Sequence, residues 1–330
     1  MTKFIHFFVI LALCACCIHC TSPVGKIPVI IDTDANNEVD DQHAMAYMFM
    51  NGNTFDVKGV TINATFGGGN VDEQYAEACR IVHLCNVTGI PVKKGANGHF
   101  ENISTTLSQP DFDGNEAVNF IIAQAKAMKN DKLVLIAVGK LTNVALAVAK
   151  DPSITNKIRL VWLGSNYPDP GEYNLDNDIP SMNYLLDTDI EFEMVTVRYG
   201  KPSGTGAVIA FKEDILKKMP GKGPVAKEPV TGRHGKEFRC FGDYSVNLFE
   251  ECDNHGNPPG RSLFDMAAVA IVKNPSWAEV KTIPAPMMQD REWIERPNNK
   301  RTIKLWENFN IKAILDDFYH TMEHYTLVRN

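Results

Sequence analysis

Residues 28–43 read Pro-Val-Ile-Ile-Asp-Thr-Asp-Ala-Asn-Asn-Glu-Val-Asp-Asp-Gln-His. The apolar run Val29-Ile30-Ile31 carries the backbone straight into Asp32 and Asp34, and Glu38, Asp40 and Asp41 follow at once. Carboxylates this close repel one another, and a partly dry cleft makes the repulsion costly unless a cation or a polar ligand offsets it. Asp also suits turns and helix starts, so a solvated acidic loop is the plainer alternative. The direct join to a Val/Ile strand favours a site for a hard divalent cation, because Ca²⁺ and Mg²⁺ take carboxylate oxygens.

The rest of the chain sets that opening in an alternating pattern. Strands are predicted at Ile27–Ile31, Val57–Ile62, Leu133–Val138, Leu160–Leu163, Phe192–Val197 and Thr302–Trp306. Helices are predicted at Asp41–Met50, Val71–Leu84, Glu116–Met128, Thr142–Lys150, Lys212–Met219, Asp265–Val272 and Ile311–Tyr325. Continuous Val/Ile/Leu strands between amphipathic helices imply an α/β fold, with an open, mostly parallel central sheet flanked by helices. Ligands of such Rossmann-like sheets bind beyond the carboxyl ends of the strands, where Asp32, Asp34 and Asp40-Asp41 fall. Lys218–Asn257 breaks the rhythm with Gly, Pro and charge before a candidate helix near Tyr244–Cys252. It reads either as a flap near the site mouth or as a surface excursion.

The first twenty residues form a separate unit. Lys3 precedes an apolar run, Phe4–Ala15, too short to span a bilayer comfortably, which fits an export signal. Leu13-Cys14-Ala15-Cys16 also loosely resembles a lipoprotein cleavage box, so residues 1–20 are expected to be an export signal or lipoprotein leader. The expectation is therefore a secreted, periplasmic or cell-surface protein, with a lipid anchor as an alternative attachment. Residues 21–330 show no linker or repeat and read as one domain. Removing the leader takes away Lys3 alone and moves the formal charge from −7 to −8. No basic cluster remains to neutralise a nucleic-acid backbone, and no later segment reads as a membrane span. Cys79, Cys85, Cys240 and Cys252 lack paired spacing, which argues against zinc. One or two disulfides are open in an exported chain. Asn63, Asn86 and Asn102 head glycosylation sequons.

Polar residues recur at matching strand ends. Asn70 follows Gly67-Gly68-Gly69; Leu141-Thr142-Asn143 opens a helix; Asn166, Glu172 and Asn174 follow Trp162-Leu163-Gly164; and Asp265 follows Phe264. Together they offer oxygen ligands and amides without a cationic cluster, a composition suited to a divalent cation plus a neutral sugar.

With these motifs in this order, the chain from about Lys26 to its last helix resembles the inosine–uridine-preferring nucleoside hydrolase family. The resemblance implies that family's open α/β fold and Ca²⁺-dependent hydrolysis of the N-glycosidic bond of ribonucleosides. It implies calcium held by Asp34, Asp41, Asp265 and the Thr142 carbonyl. Asp40, Asn70, Asn166, Glu172 and Asn174 would contact the ribose, and a homodimer or homotetramer would be usual. Chemically, Asp34 is the carboxylate placed to take a proton from the attacking water, while carboxylates around the ribose offset its developing positive charge.

Two departures stand out. Five residues separate Asp34 from Asp40, where the family commonly has three, so Asn36-Asn37-Glu38 lies in an expanded loop. Phe264 stands where many purine-cleaving members carry the His that protonates the leaving base, and an aromatic ring cannot donate that proton. His234, His255, Tyr173 and Tyr244 are the alternative donors, and His43 reads as a first-turn helix residue. A haloacid-dehalogenase-type phosphatase also begins strand-Asp-x-Asp, but it gives Asp40-Asp41 and Glu172-x-Asn174 no place. An exported nucleoside- or ribose-binding protein with little turnover is the competing reading.

Overall fold

The computed structural model describes residues 25–329. The predicted leader at residues 1–20 lies outside the described residues. The strand predicted from Val29-Ile30-Ile31 is β1, Ile27–Thr33. Its three central side chains are fully buried, and alternation sends Val29 and Ile31 into one hydrophobic cluster and Ile30 into another. Phe55–Ile62 (β2), Val92–Lys94 (β3), Leu133–Ala137 (β4), Ile158–Ser165 (β5) and Glu191–Thr196 (β6) continue the sheet. In β4, Val134 and Ile136 face the first cluster while Leu133, Leu135 and Ala137 face the second. A sheet covered on both faces needs apolar residues at consecutive positions, which is why these strands read as unbroken runs.

The eight-stranded order is Glu279–Pro284, Thr302–Glu307, β6, β5, β4, β1, β2, β3. Every pairing is parallel except that of the edge strand Glu279–Pro284 with Thr302–Glu307. The chain first winds outward from β1 to β3, then restarts at β4 on the other side of β1. That reversal opens a crevice beyond the carboxyl ends of β1 and β4, the usual ligand position in an open α/β sheet.

Two helices deliver acids to this crevice. Asp40–Phe49 (α1) is buried along its whole length and packs against Phe264–Lys273, which is buried from Asp265 to Val272. Both begin with carboxylates in their first turn, where the positive end of the helix dipole favours negative charge. His43, one turn into α1, is a core residue. It contacts the Val39 carbonyl at 2.5 Å and Ser245 Oγ at 2.7 Å among Phe241, Phe249 and Phe318, and burial lowers its pKa to about 4.

Several elements lack a sequence signal. β3 and Glu279–Pro284 are edge strands with partly or fully exposed side chains, so neither shows a buried apolar run. Phe100–Ser104, Tyr173–Asn177 and Ile179–Leu186 are helices of eight residues or fewer, too short for a clear period. The irregular segment contains the helix Phe241–Glu251 and a small hairpin, Val230–Thr231 with Glu237–Phe238. Cys79, Cys85, Cys240 and Cys252 are all free thiols, so among the described residues none of the disulfides left open by the sequence joins them. Asn63 is fully buried against Asp32, which removes its sequon as an acceptor in the folded protein, whereas Asn86 and Asn102 are exposed. No described helix is long and apolar enough to cross a membrane.

Candidate active site

Asp32 fixes the loop from behind. Its carboxylate accepts from Thr61 Oγ1 at 2.6 Å, Asn63 Nδ2 at 2.7 Å and Asn143 Nδ2 at 2.8 Å. Asn143 also donates to the Ile62 carbonyl at 2.9 Å and accepts from the Ala96 amide at 2.9 Å, joining three strand ends. An Asn143→Ala protein therefore leaves several buried polar groups unpaired. The expected loss is about 2–4 kcal/mol in chemical denaturation; a loss below about 1 kcal/mol would show that the network rearranges freely.

Beyond Asp32 the backbone turns into a cleft of about 400 Å³. Asp34, Asp40, Asp41, Glu172, Asn174 and Asp265 line it, and all six are buried. Carboxylate oxygens of Asp40, Asp41 and Asp265 lie within 4.8 Å of one another, an arrangement able to hold a metal ion. Asp34 is held by Thr65, whose hydroxyl donates to it; the Tyr173 hydroxyl in turn donates to Thr65 at 3.2 Å and accepts from the Gly67 amide at 2.6 Å. Asp41 accepts from Thr33.

Without a cation these acids resist ionisation. Burial raises Asp34 from 3.8 to about 6 and Asp40 to about 7, and in Asp40 the charge of Asp34 adds to the effect. Burial, then the neighbouring carboxylates, push Asp41 and Asp265 well above the usual carboxylate range. Glu172 rises to about 7, again chiefly through burial. Lys140 offers little relief, since its ammonium donates to the carbonyls of Asn97 at 2.8 Å and Gly98 at 2.6 Å. The donor set is all oxygen and strongly anionic, the chemistry that a hard divalent cation satisfies.

The structure separates the remaining candidates. Asn174 donates to the carbonyls of Val138 at 2.8 Å and Leu163 at 3.1 Å, and Glu172 accepts from the Leu175 amide at 2.9 Å, so both are held at the cleft wall. Thr142 does not reach the cleft. Its hydroxyl donates to Asp178, and the residue this loop brings to the wall is Val138, immediately after β4. Asn70 is exposed and caps α2, Val71–Leu84, in a capping box with Glu73. The Asn166 side chain is spent on its own loop, donating to the Pro170 carbonyl at 3.3 Å and accepting from the Tyr199 amide at 3.0 Å.

Of the alternative proton donors, His255 and Tyr173 line the cleft. Tyr244 is buried and donates to Glu77 at 2.7 Å, while His234 is exposed beside Arg233. Among the lining residues that escaped the sequence reading are Tyr199, which meets Phe264 edge to face at 5.9 Å, and Arg261, which enters from the strand Gly260–Ser262; Val138, expected only as the end of a strand, lines the wall just after β4. The expanded loop is braced rather than free. Asn36 donates to the Gly68 carbonyl at 2.7 Å and its own carbonyl accepts from Arg233 at 3.2 Å, Asn37 lines the cleft, and Glu38 pairs with Arg261.

The sequence comparisons agree with this geometry. Residues 29–314 match the family model described as inosine-uridine preferring nucleoside hydrolase. A probable uridine nucleosidase of Arabidopsis thaliana is 30% identical over 44% of this chain and 49% of its own length. An inosine-uridine preferring nucleoside hydrolase of Leishmania major is 25% identical over 78% of this chain and 82% of its own. The chain thus spans about half of the first relative and most of the second. A plant nucleoside hydrolase structure superposes with a TM-score of 0.69 at 17% identity, covering 90% of this chain and 99% of that one, which shows the shared fold. The chain belongs to the inosine-uridine preferring nucleoside hydrolase family, enzymes that hydrolyse the N-glycosidic bond of nucleosides.

Proposed function

We propose that this protein is a calcium-dependent ribonucleoside hydrolase that releases base and ribose. The observation that carries this reading is the convergence of Asp34, Asp40, Asp41, Asp265 and Glu172, all buried, in one cleft at the sheet's switch point. Asp41, Asp265 and Asp34 would hold the cation, and Val138, rather than Thr142, is the residue after β4 that lines the cleft beside them. A site of several carboxylate oxygens suits Ca²⁺, which takes six to eight oxygen ligands, whereas Mg²⁺ usually keeps most of its waters. When bound, the cation supplies an acidified water and two places for sugar hydroxyls.

The chain's own groups do the rest. Asp34, held by Thr65, receives the proton of the attacking water. Asp40, Glu172 and Asn174 face the ribose, and their negative charge and side-chain oxygens favour the oxocarbenium-like transition state. Leu163, Val197, Tyr199 and Phe264 give the cleft an apolar side on which a base can pack. In keeping with the sequence, we also propose that residues 1–20 direct export.

Purified protein with inosine, uridine and 4-nitrophenyl riboside tests this, each with Ca²⁺ and with chelator. Calcium-dependent release of base or nitrophenol is the expected result. Tight nucleoside binding without any cleavage would overturn it in favour of a binding protein, the reading that Phe264 in place of an acid keeps in view.

A further inference from the structure

We propose that Arg261, positioned by Glu38 and His255, is the group that stabilises the departing base. This inference rests on the hydrolase reading above. When the C1′–N bond breaks, its electron pair stays on the base, and something must face that charge. Phe264 cannot. Among the described residues lining the cleft, Arg261 is the only permanent cation and His255 the only imidazole.

The side chain of Arg261 is anchored as a reactive group would need to be. It is only 11% exposed, and its Nη2 pairs with Glu38 of the expanded loop. Its Nη1 donates to the Asp253 carbonyl at 3.0 Å and to His255 Nε2 at 2.7 Å. A guanidinium has five N–H donors and cannot accept, so three are spent and His255 Nε2 must be the acceptor. The neutral imidazole then carries its proton on Nδ1, a second donor at the cleft rim. Backbone pairing with Ala210 in the strand Ile209–Phe211 fixes Arg261 from behind, and the neighbouring Ser262 hydroxyl donates to the Gly206 carbonyl at 2.7 Å. The extra loop length that separates Asp34 from Asp40 thus has a use. It brings Glu38 to the far side of the cleft, where a buried arginine needs a counter-charge.

In the step itself, water adds to C1′ and gives one proton to Asp34, while the electron pair of the C1′–N bond leaves with the base. Arg261 keeps its proton and hydrogen-bonds the anionic base, which is then protonated by water; the hydroxide so formed takes the proton held by Asp34, restoring the carboxylate and a water. A charge-stabilising donor of this kind contributes on the order of 10²-fold to turnover. Nitrophenolate leaves as a stable anion and needs no such help.

The test compares R261Q and R261K with wild type on inosine, uridine and 4-nitrophenyl riboside. R261Q should lose roughly 10²-fold in kcat/KM on the nucleosides and less than about threefold on the nitrophenyl riboside, with R261K intermediate. Equal losses on all substrates in both variants, or undiminished nucleoside cleavage in R261Q, would overturn the assignment. So would wild-type protein that cleaves the nitrophenyl riboside but neither nucleoside, an outcome that leaves the hydrolase reading standing. Failure on all three substrates removes the hydrolase reading itself.

Discussion

An Asp34→Ala protein folds and loses on the order of 10³-fold or more in kcat/KM toward 4-nitrophenyl riboside. The activated substrate isolates the sugar half of the site, because its leaving group is indifferent to what faces it. Asp34 is fully enclosed, takes the Thr65 hydroxyl, and stands among the acids of α1 and the Phe264–Lys273 helix. On the proposed reading its removal takes away both a proton acceptor and part of the negative charge that would hold the cation. Two effects then separate. Asp34→Asn keeps the shape and loses the base, so its turnover should fall as far while calcium still raises its melting temperature. A loss below tenfold in both variants would move the proton acceptor elsewhere in the cluster.

Metal-free protein loses stability as pH rises from about 4 to about 7, and calcium restores it. The sign follows from the raised carboxyls. Asp34, Asp40 and Glu172 hold their protons more tightly folded than unfolded, at about 6, 7 and 7 against ordinary values of 3.8, 3.8 and 4.5. In that window the folded state binds more protons than the unfolded one, so stability declines with rising pH. Asp34 and Asp40 titrate together with their neighbours, so the loss belongs to the cluster and is on the order of a few kcal/mol. The calcium-induced rise in melting temperature should therefore be larger at pH 8 than at pH 5, by about 5 °C or more. Calorimetry with chelator and with excess Ca²⁺ at both pH values reads the difference directly. An equal shift at the two values would mean that the cluster does not carry the cation.

Sequence made the sheet legible where burial on both faces forces apolar runs, as in β1, β4 and β5, and silent where it does not. β3 and Glu279–Pro284 lie at the sheet edges with little buried surface. The acids were legible for a related reason: Asp34, Asp40 and Asp41 crowd one stretch, and crowding is itself a signal. Asn70 shows the opposite case, since an Asn that caps a helix and one that binds a sugar look alike in sequence. A backbone oxygen leaves no mark on residue type, so nothing in Val138 through Thr142 tells which carbonyl reaches the cleft. Tyr199 and Arg261 arrive from segments far along the chain, and only the packed sheet places them beside β1.

The parallel winding has one more consequence, for the order in which the site comes into being. Asp34, Asp40 and Asp41 belong to the first strand–helix unit described, whereas Asp265 belongs to a helix near the end of the chain. During synthesis the early acids leave the ribosome long before their partner, and the strands β4 to β6 must take their places in between. The three acids that together could hold a metal are therefore complete only once the late helix has docked beside the first.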